Sequence, residues 1–415
     1  MTDPHRAAVL GLLALLSGPL ALGAQWQADA AARVTGVLIR ADPAPYGAPL
    51  TEVRLTQPVL MLRVGAGHML TLRTTLNLEG VTLPDGELSA GAYGEGFVDR
   101  RHPHTFVHEL MLETRHRIGA ANRGGEVGLA IGKGFAPFGT DDPMNRPFGT
   151  YPVNHHLAQI LERAVLIGQV AVGPVVLEAG LFDGDEPESP WQWPLLHQSS
   201  GWRFGDSWSA RLTVMPVPNL DIQLSTAKVH SPEQRQGAGG DQKKFSGSLR
   251  WTRQSPDGNH RLYTLLEDAR TSELEEAFVY RSLLGEIALD LGNSRVAYRF
   301  ERTDRPEEER PTDPYRTRRP HLDNAILGRF VWSLHTIRID HRLVVSRSGL
   351  RVVPFLEGAF GTTASKDGGA VTPLDVYGSD RVKHLRVGLT IEWRASGHRM
   401  GRYGVLDSHM EGMMH

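Results

Sequence analysis

The chain has 415 residues, a formal charge of −2 and no cysteine. So small a charge supplies no basic field for nucleic acid, and a slightly negative mean hydropathy excludes a helical membrane protein. The lack of thiols suits a chain exported to an oxidising compartment.

Arg6 is followed by the apolar run AAVLGLLALLSGPLALGA, with small residues at Ala21, Gly23 and Ala24. This is the pattern of a secretory signal peptide over residues 1–24. No cysteine follows to carry a lipid. Residues 25–57 read as an N-terminal periplasmic segment.

From residue 58 the dominant period is two. In SWSARLTV (207–214), Trp208, Ala210, Leu212 and Val214 share one side. Ser207, Ser209, Arg211 and Thr213 share the other. Leu220, Ile222 and Leu224 alternate with Asp221, Gln223 and Ser225; Val296, Tyr298 and Phe300 alternate with Arg295, Ala297, Arg299 and Glu301. Leu385, Val387, Leu389, Ile391 and Trp393 alternate with His384, Arg386, Gly388, Thr390 and Glu392. Such alternation marks strands with one apolar and one polar face. Short turns such as Val217-Pro218 and Gly292-Asn293 alternate with long polar loops over 184–206, 231–242 and 304–322. The pattern predicts an all-β fold over residues 58–395. The expected architecture is an up-and-down antiparallel transmembrane β-barrel of roughly 14–16 strands, with 12 as a lower bound. The stretch 324–346 is long enough for two strands. Trp208, Trp251, Trp332 and Trp393 near strand ends suit interfacial girdles. Residues 135–163 are placed to plug the lumen, and HHLAQILERAVLIG, which begins within them, is mildly helical.

Three histidine-rich stretches carry the candidate chemistry. In DRRHPHTFVHEL (99–110), His102 and His104 stand two apart, a spacing at which two strand imidazoles can reach one zinc or copper ion. Leu112 stands where the zincin motif needs its second histidine, so that protease reading fails. The competing, favoured reading is a polar network that pins a turn. The second stretch holds His155 and His156, which diverge on a strand but can converge in a loop or helical turn. The third is the tail, 396–415, where His398, Met400, His409, Met410, Met413, Met414 and His415 offer thioether and imidazole ligands for soft metals such as Cu(I). Catalysis finds little support: there is no GxSxG motif, and His230-Ser231 is a bare pair at a strand end.

VDRRHPHTFVHELML, PVNHH, DSWSARLTVMPVPNLDIQLSTAKVHSPEQ and PLDVYGSDRVKHLRVGLTIEWR resemble a family of uncharacterised outer-membrane β-barrel proteins associated with copper-resistance loci of Gram-negative bacteria. The likeness runs in patches from about residue 58 to 395. Asp99, Arg100, His102, Pro103, His104, Glu109, His155, His156, Ser231, Pro232 and Glu233 match that pattern, and His108 is an addition to it. The resemblance implies an outer-membrane barrel linked to metal handling, with copper as the metal; His102, His104, Glu109, His155 and His156 are its candidate contacts, joined on composition alone by the tail. The expectation from all of this is a porin-like channel in the outer membrane, in contact with lipid and passing metal ions or small solutes. The alternatives are a non-conducting structural or metal-binding barrel and a hydrolase sited on the barrel rim.

Overall fold

The computed structural model describes residues 26–42, 49–66, 69–83, 104–119, 124–140, 142–187, 190–193, 203–232, 237–309, 325–344, 348–366, 371–394 and 399–405. The expected signal peptide lies outside them. Sixteen antiparallel strands form one closed sheet. They are β1 (Trp26–Asp42), β2 (Leu50–Ala66), β3 (Leu70–Asn77), β4 (Val107–Ile118), β5 (Gly125–Gly134), β6 (Arg163–Val172), β7 (Val175–Phe182) and β8 (Ser207–Val217). The second half holds β9 (Leu220–Val229), β10 (Gln242–Gln254), β11 (His260–Glu273), β12 (Phe278–Leu291), β13 (Ser294–Glu309), β14 (Ala325–His341), β15 (Leu350–Ser365) and β16 (Arg381–Trp393). Each strand pairs with its neighbours in sequence, and β1 closes the ring on β16. At that seam the Thr35 and Thr390 hydroxyls meet at 3.0 Å inside the barrel.

The period-two faces point as a barrel requires. Trp208 is 44% exposed on the outside, while Ser207, Ser209, Arg211 and Thr213 are buried inside. Leu385, Val387, Leu389 and Ile391 face outward, and His384, Arg386 and Thr390 face inward. Short turns gather at one end, with Trp26 and Trp393; the long connections gather at the other. No helix among the described residues is long and apolar enough to cross a membrane.

Three expectations need correction. The segment 25–57 is not separate from the barrel, because β1 and the first part of β2 lie within it. These strands lack a clean alternation for two physical reasons. Val37 and Ile39 of β1 are buried against Leu83 and Phe355, so both faces of that strand are apolar. In β2 a bulge resets the parity: Gln57 has φ 50°, Pro58 follows, and the register with β1 shifts between Arg33 and Thr35. The stretch 324–346 is one strand, not two; Leu343–Val344 continues β14 along β15. Trp332 is no girdle residue. It faces the interior at 1% exposure, edge-on to Tyr377 at 5.5 Å. Its partner belongs to a short helix, α3 (Pro373–Tyr377), which caps this wall over an apolar floor of Phe330, Trp332 and Leu334.

Two further helices are single turns at the loop end: α1 (Glu79–Thr82) and α2 (His155–Ala158). The second sits in the connection between β5 and β6, which folds into the barrel as anticipated from its position. Gly139 permits that path: its φ is +69°, and a Cβ there would lie 1.7 Å from the Ala158 carbonyl oxygen.

Candidate functional site

The lumen is the candidate site, and it is built from the polar face of each strand plus two inserted pieces of chain. The first piece is the β5–β6 connection. Wall carboxylates hold it by both backbone and side-chain groups. Glu357 accepts from Gly149 N at 2.8 Å and Thr150 N at 3.0 Å, as well as from the Thr150 hydroxyl. Glu301 accepts from Val153 N at 2.6 Å. Glu267 accepts from Arg146 at 2.9 Å, Asn154 Nδ2 at 2.8 Å and the Thr140 hydroxyl. Arg299 donates to Thr150 O at 2.9 Å and stacks over Phe148 at 4.2 Å. A loop inside a barrel must satisfy its backbone groups on the wall, and these carboxylates do so.

The second piece is the C-terminal tail, which turns back into the barrel over residues 399–405. Tyr403 donates its hydroxyl to Glu109 Oε1 at 2.7 Å, and Gly401 N reaches the same oxygen at 2.9 Å. Gly404 N donates to Glu113 Oε2 at 2.6 Å, Val405 N to Gln169 Oε1 at 3.0 Å, and Arg402 to Gln223 Oε1 at 3.2 Å. Glu109 was expected near a metal. Its Oε2 accepts from Thr75 at 2.7 Å, so both of its oxygens serve the tail and the wall. Met400 is packed in an apolar cluster with Met111 and Phe135. His398, His409, Met410, Met413, Met414 and His415 lie outside the described residues, as do His102, Asp99 and Arg100.

The structure does bring the first two histidine stretches together. Ring centroids run in a file from Phe135 to His108 (5.2 Å), His104 (4.9 Å), Tyr151 (5.9 Å), His155 (4.8 Å) and His156 (4.8 Å). His104, just before β4, and His108 within it each have their own carboxylate. His104 Nδ1 lies 2.6 Å from Glu79 Oε2, and His108 Nδ1 lies 2.7 Å from Glu162 Oε1. Burial works against the charged form of His104, but Glu79 outweighs it and lifts the pKa to about 9. Glu162 is also opposed by burial; Lys133 and His108 hold it well below the usual carboxylate range. His104 thus joins a buried polar network in which Glu79 also accepts from Gln57 N at 2.7 Å and Asn77 Nδ2 at 3.0 Å. The cavity beside it is about 30 Å³, room for a water. Among the described residues, no three His, Asp or Glu side chains converge as a metal-binding group.

Toward the turn end, below the β5–β6 connection, the lumen opens into a chamber of about 310 Å³. Nine arginines and four carboxylates line it among the described residues, a surplus of five positive charges. The wall portion is a cross-strand ladder. Asp290 of β12 stands between Arg261 of β11 and Arg295 of β13; Glu392 of β16 stands between Arg351 of β15 and Arg33 of β1. Asp221 and Arg250 face each other across β9 and β10, with a bond of 2.9 Å. Arg295 grips Asp290 with two nitrogens, at 2.5 and 3.1 Å, and Arg342 reaches the same carboxylate at 2.8 Å. Arg146 of the β5–β6 connection and Arg399 of the tail complete the lining. Strand alternation puts these arginines on the inner face. Only the register reveals that they stand side by side, so sequence reasoning passed over them as a group.

On the rim, His230 is oriented after all: Asp241 holds its Nδ1 at 2.6 Å. The neighbouring Ser231 hydroxyl accepts from Gly239 N at 2.8 Å.

No family model and no curated protein matches this chain. Solved structures similar to it include an anion-selective porin of Comamonas acidovorans, with 12% identity over 89% of this chain and 100% of that one, at a TM-score of 0.49. OmpF of Salmonella typhi, in complex with daunomycin, gives 10% identity over 88% and 97%, at 0.47. OpdO of Pseudomonas aeruginosa gives 13% over 88% and 97%, at 0.38. These likenesses are distant, and the description of the barrel rests on its own strand pairing.

Proposed function

We propose that this chain is an outer-membrane channel with a partitioned lumen rather than an enzyme. One observation carries the reading: a closed ring of strands whose outward residues are apolar and whose inward residues are charged. Leu385, Val387 and Leu389 face out where His384, Arg386 and Thr390 face in, and the same inversion recurs around the ring. Lipid outside and water inside is the environment that satisfies both faces. The long connections then face the exterior and the short turns the periplasm. The β5–β6 connection and the tail narrow the passage, so the unit conductance is small.

The same two insertions favour the alternative of a barrel that does not conduct. Single-channel recording of the refolded protein in planar bilayers decides between them. Small discrete steps in the full chain, enlarged when residues 395–415 are deleted, support the channel. No steps from either protein in any salt overturn it.

A further inference from the structure

We infer that the turn-end chamber is a binding site for small organic anions bearing two or more carboxylate groups. The inference deepens the channel reading but needs only a wetted lumen, not conduction.

The argument is one of charge supply. A lumen can hold many arginines if each is matched by its own carboxylate, and then it offers little to a solute. Arg250 and Arg338 have such partners in Asp221 and Asp340, but the rest of the ladder withholds that match. Asp290 is shared among Arg261, Arg295 and Arg342, and Glu392 sits between Arg33 and Arg351. Arg33 reaches Glu392 only at 3.9 Å and gives its Nη1 to the Met144 carbonyl at 2.7 Å. Self-repulsion within such a group is relieved by an anion from solution. Guanidinium is the side chain whose planar fork pairs with carboxylate through two parallel bonds.

Size narrows the ligand. A chamber of about 310 Å³ sits at the small end of ligand cavities, enough for a compact metabolite and too small for a folded peptide. Among the described residues the lining arginines outnumber the lining carboxylates nine to four, with Arg146 and Arg338 also answering to Glu267, Glu286 and Glu357 outside it, and the remaining excess favours a multivalent anion over chloride. The walls also carry apolar groups from Val59, Met61, Met144, Phe148, Met215 and Val353, and beside them the arginines select for charge.

The test is calorimetric titration of the full-length protein in neutral detergent with citrate, with acetate as the monovalent control. Citrate binds more tightly than acetate, and Arg261→Gln with Arg351→Gln weakens citrate by about tenfold or more. Asp290→Asn acts in the opposite direction: it removes a competing carboxylate and tightens citrate, a gain that a misfolded variant cannot produce. The inference is overturned if citrate shows no heat of binding, or if both variants bind it as the parent does. Failure of the channel reading is distinct, since it would show as absent conductance with citrate binding intact.

Discussion

Two levels of the lumen treat charge in opposite ways. Across the middle of the barrel, carboxylates are consumed. Glu267, Glu301 and Glu357 accept hydrogen bonds from the β5–β6 connection, while Glu109 and Glu113 accept from the tail. At the turn end, carboxylates are rationed between arginines of neighbouring strands. A charged lumen can therefore be a fastening or a binding surface, and the partner lists distinguish them. Where each charge holds backbone N–H groups, it fixes structure. Where one acid serves several cations, electrostatic capacity is left for a solute.

The comparison is broken most forcefully at Glu357. Glu357→Ala strips Gly149, Thr150 and Arg338 of their shared acceptor. A loss of about 3–5 kcal/mol is expected for breaking such a buried set. Unfolding monitored by the heat-dependent shift in electrophoretic mobility measures it. Arg261→Gln at the turn end costs far less by the same assay.

Next in size is a pH effect at the loop end. The His104 pKa stands near 9, above its unfolded value of 6.5. Its pairing with Glu79 thus stabilises fully below pH 6.5 and is lost as pH rises through 9. The contribution is at most about 3 kcal/mol. Melting temperature falls across that window in the parent, and His104→Asn flattens the slope.

Gly139→Ala imposes a side chain at a positive φ and against the Ala158 carbonyl. About 1–3 kcal/mol of strain follows, and protease cuts within 135–163 appear sooner. The smallest effect is Tyr403→Phe, which removes the bond to Glu109 and the acceptor of Phe135 N at a cost of about 1–2 kcal/mol. A C-terminal affinity tag becomes more accessible to protease in that variant.

How much of this was legible beforehand differs along the chain. From β8 to β10 and at β16 the alternation is strict, so strands and facing were readable residue by residue. In β1, where Val37 and Ile39 pack on Leu83 and Phe355, both faces are apolar and the signal vanishes. Trp332 followed the parity of its strand, not the preference of tryptophan for interfaces, because α3 needed an apolar floor. His104 was identified as either metal ligand or turn pin; Glu79, the residue paired with it, lies 25 positions away across an unreadable register. The arginine ladder illustrates the same limit. Arg261, Arg295 and Arg351 each sit on a recognisable polar face, but their adjacency is a property of strand pairing.

The most direct measurement is the single-channel current of the parent and of Glu357→Ala under a potassium chloride gradient. A fastening mid-barrel belt and a binding turn-end belt together predict a small, anion-preferring conductance in the parent. Glu357→Ala should raise the conductance and keep the anion preference. An unchanged conductance in the variant, or a cation-preferring reversal potential in either protein, contradicts the division of the lumen.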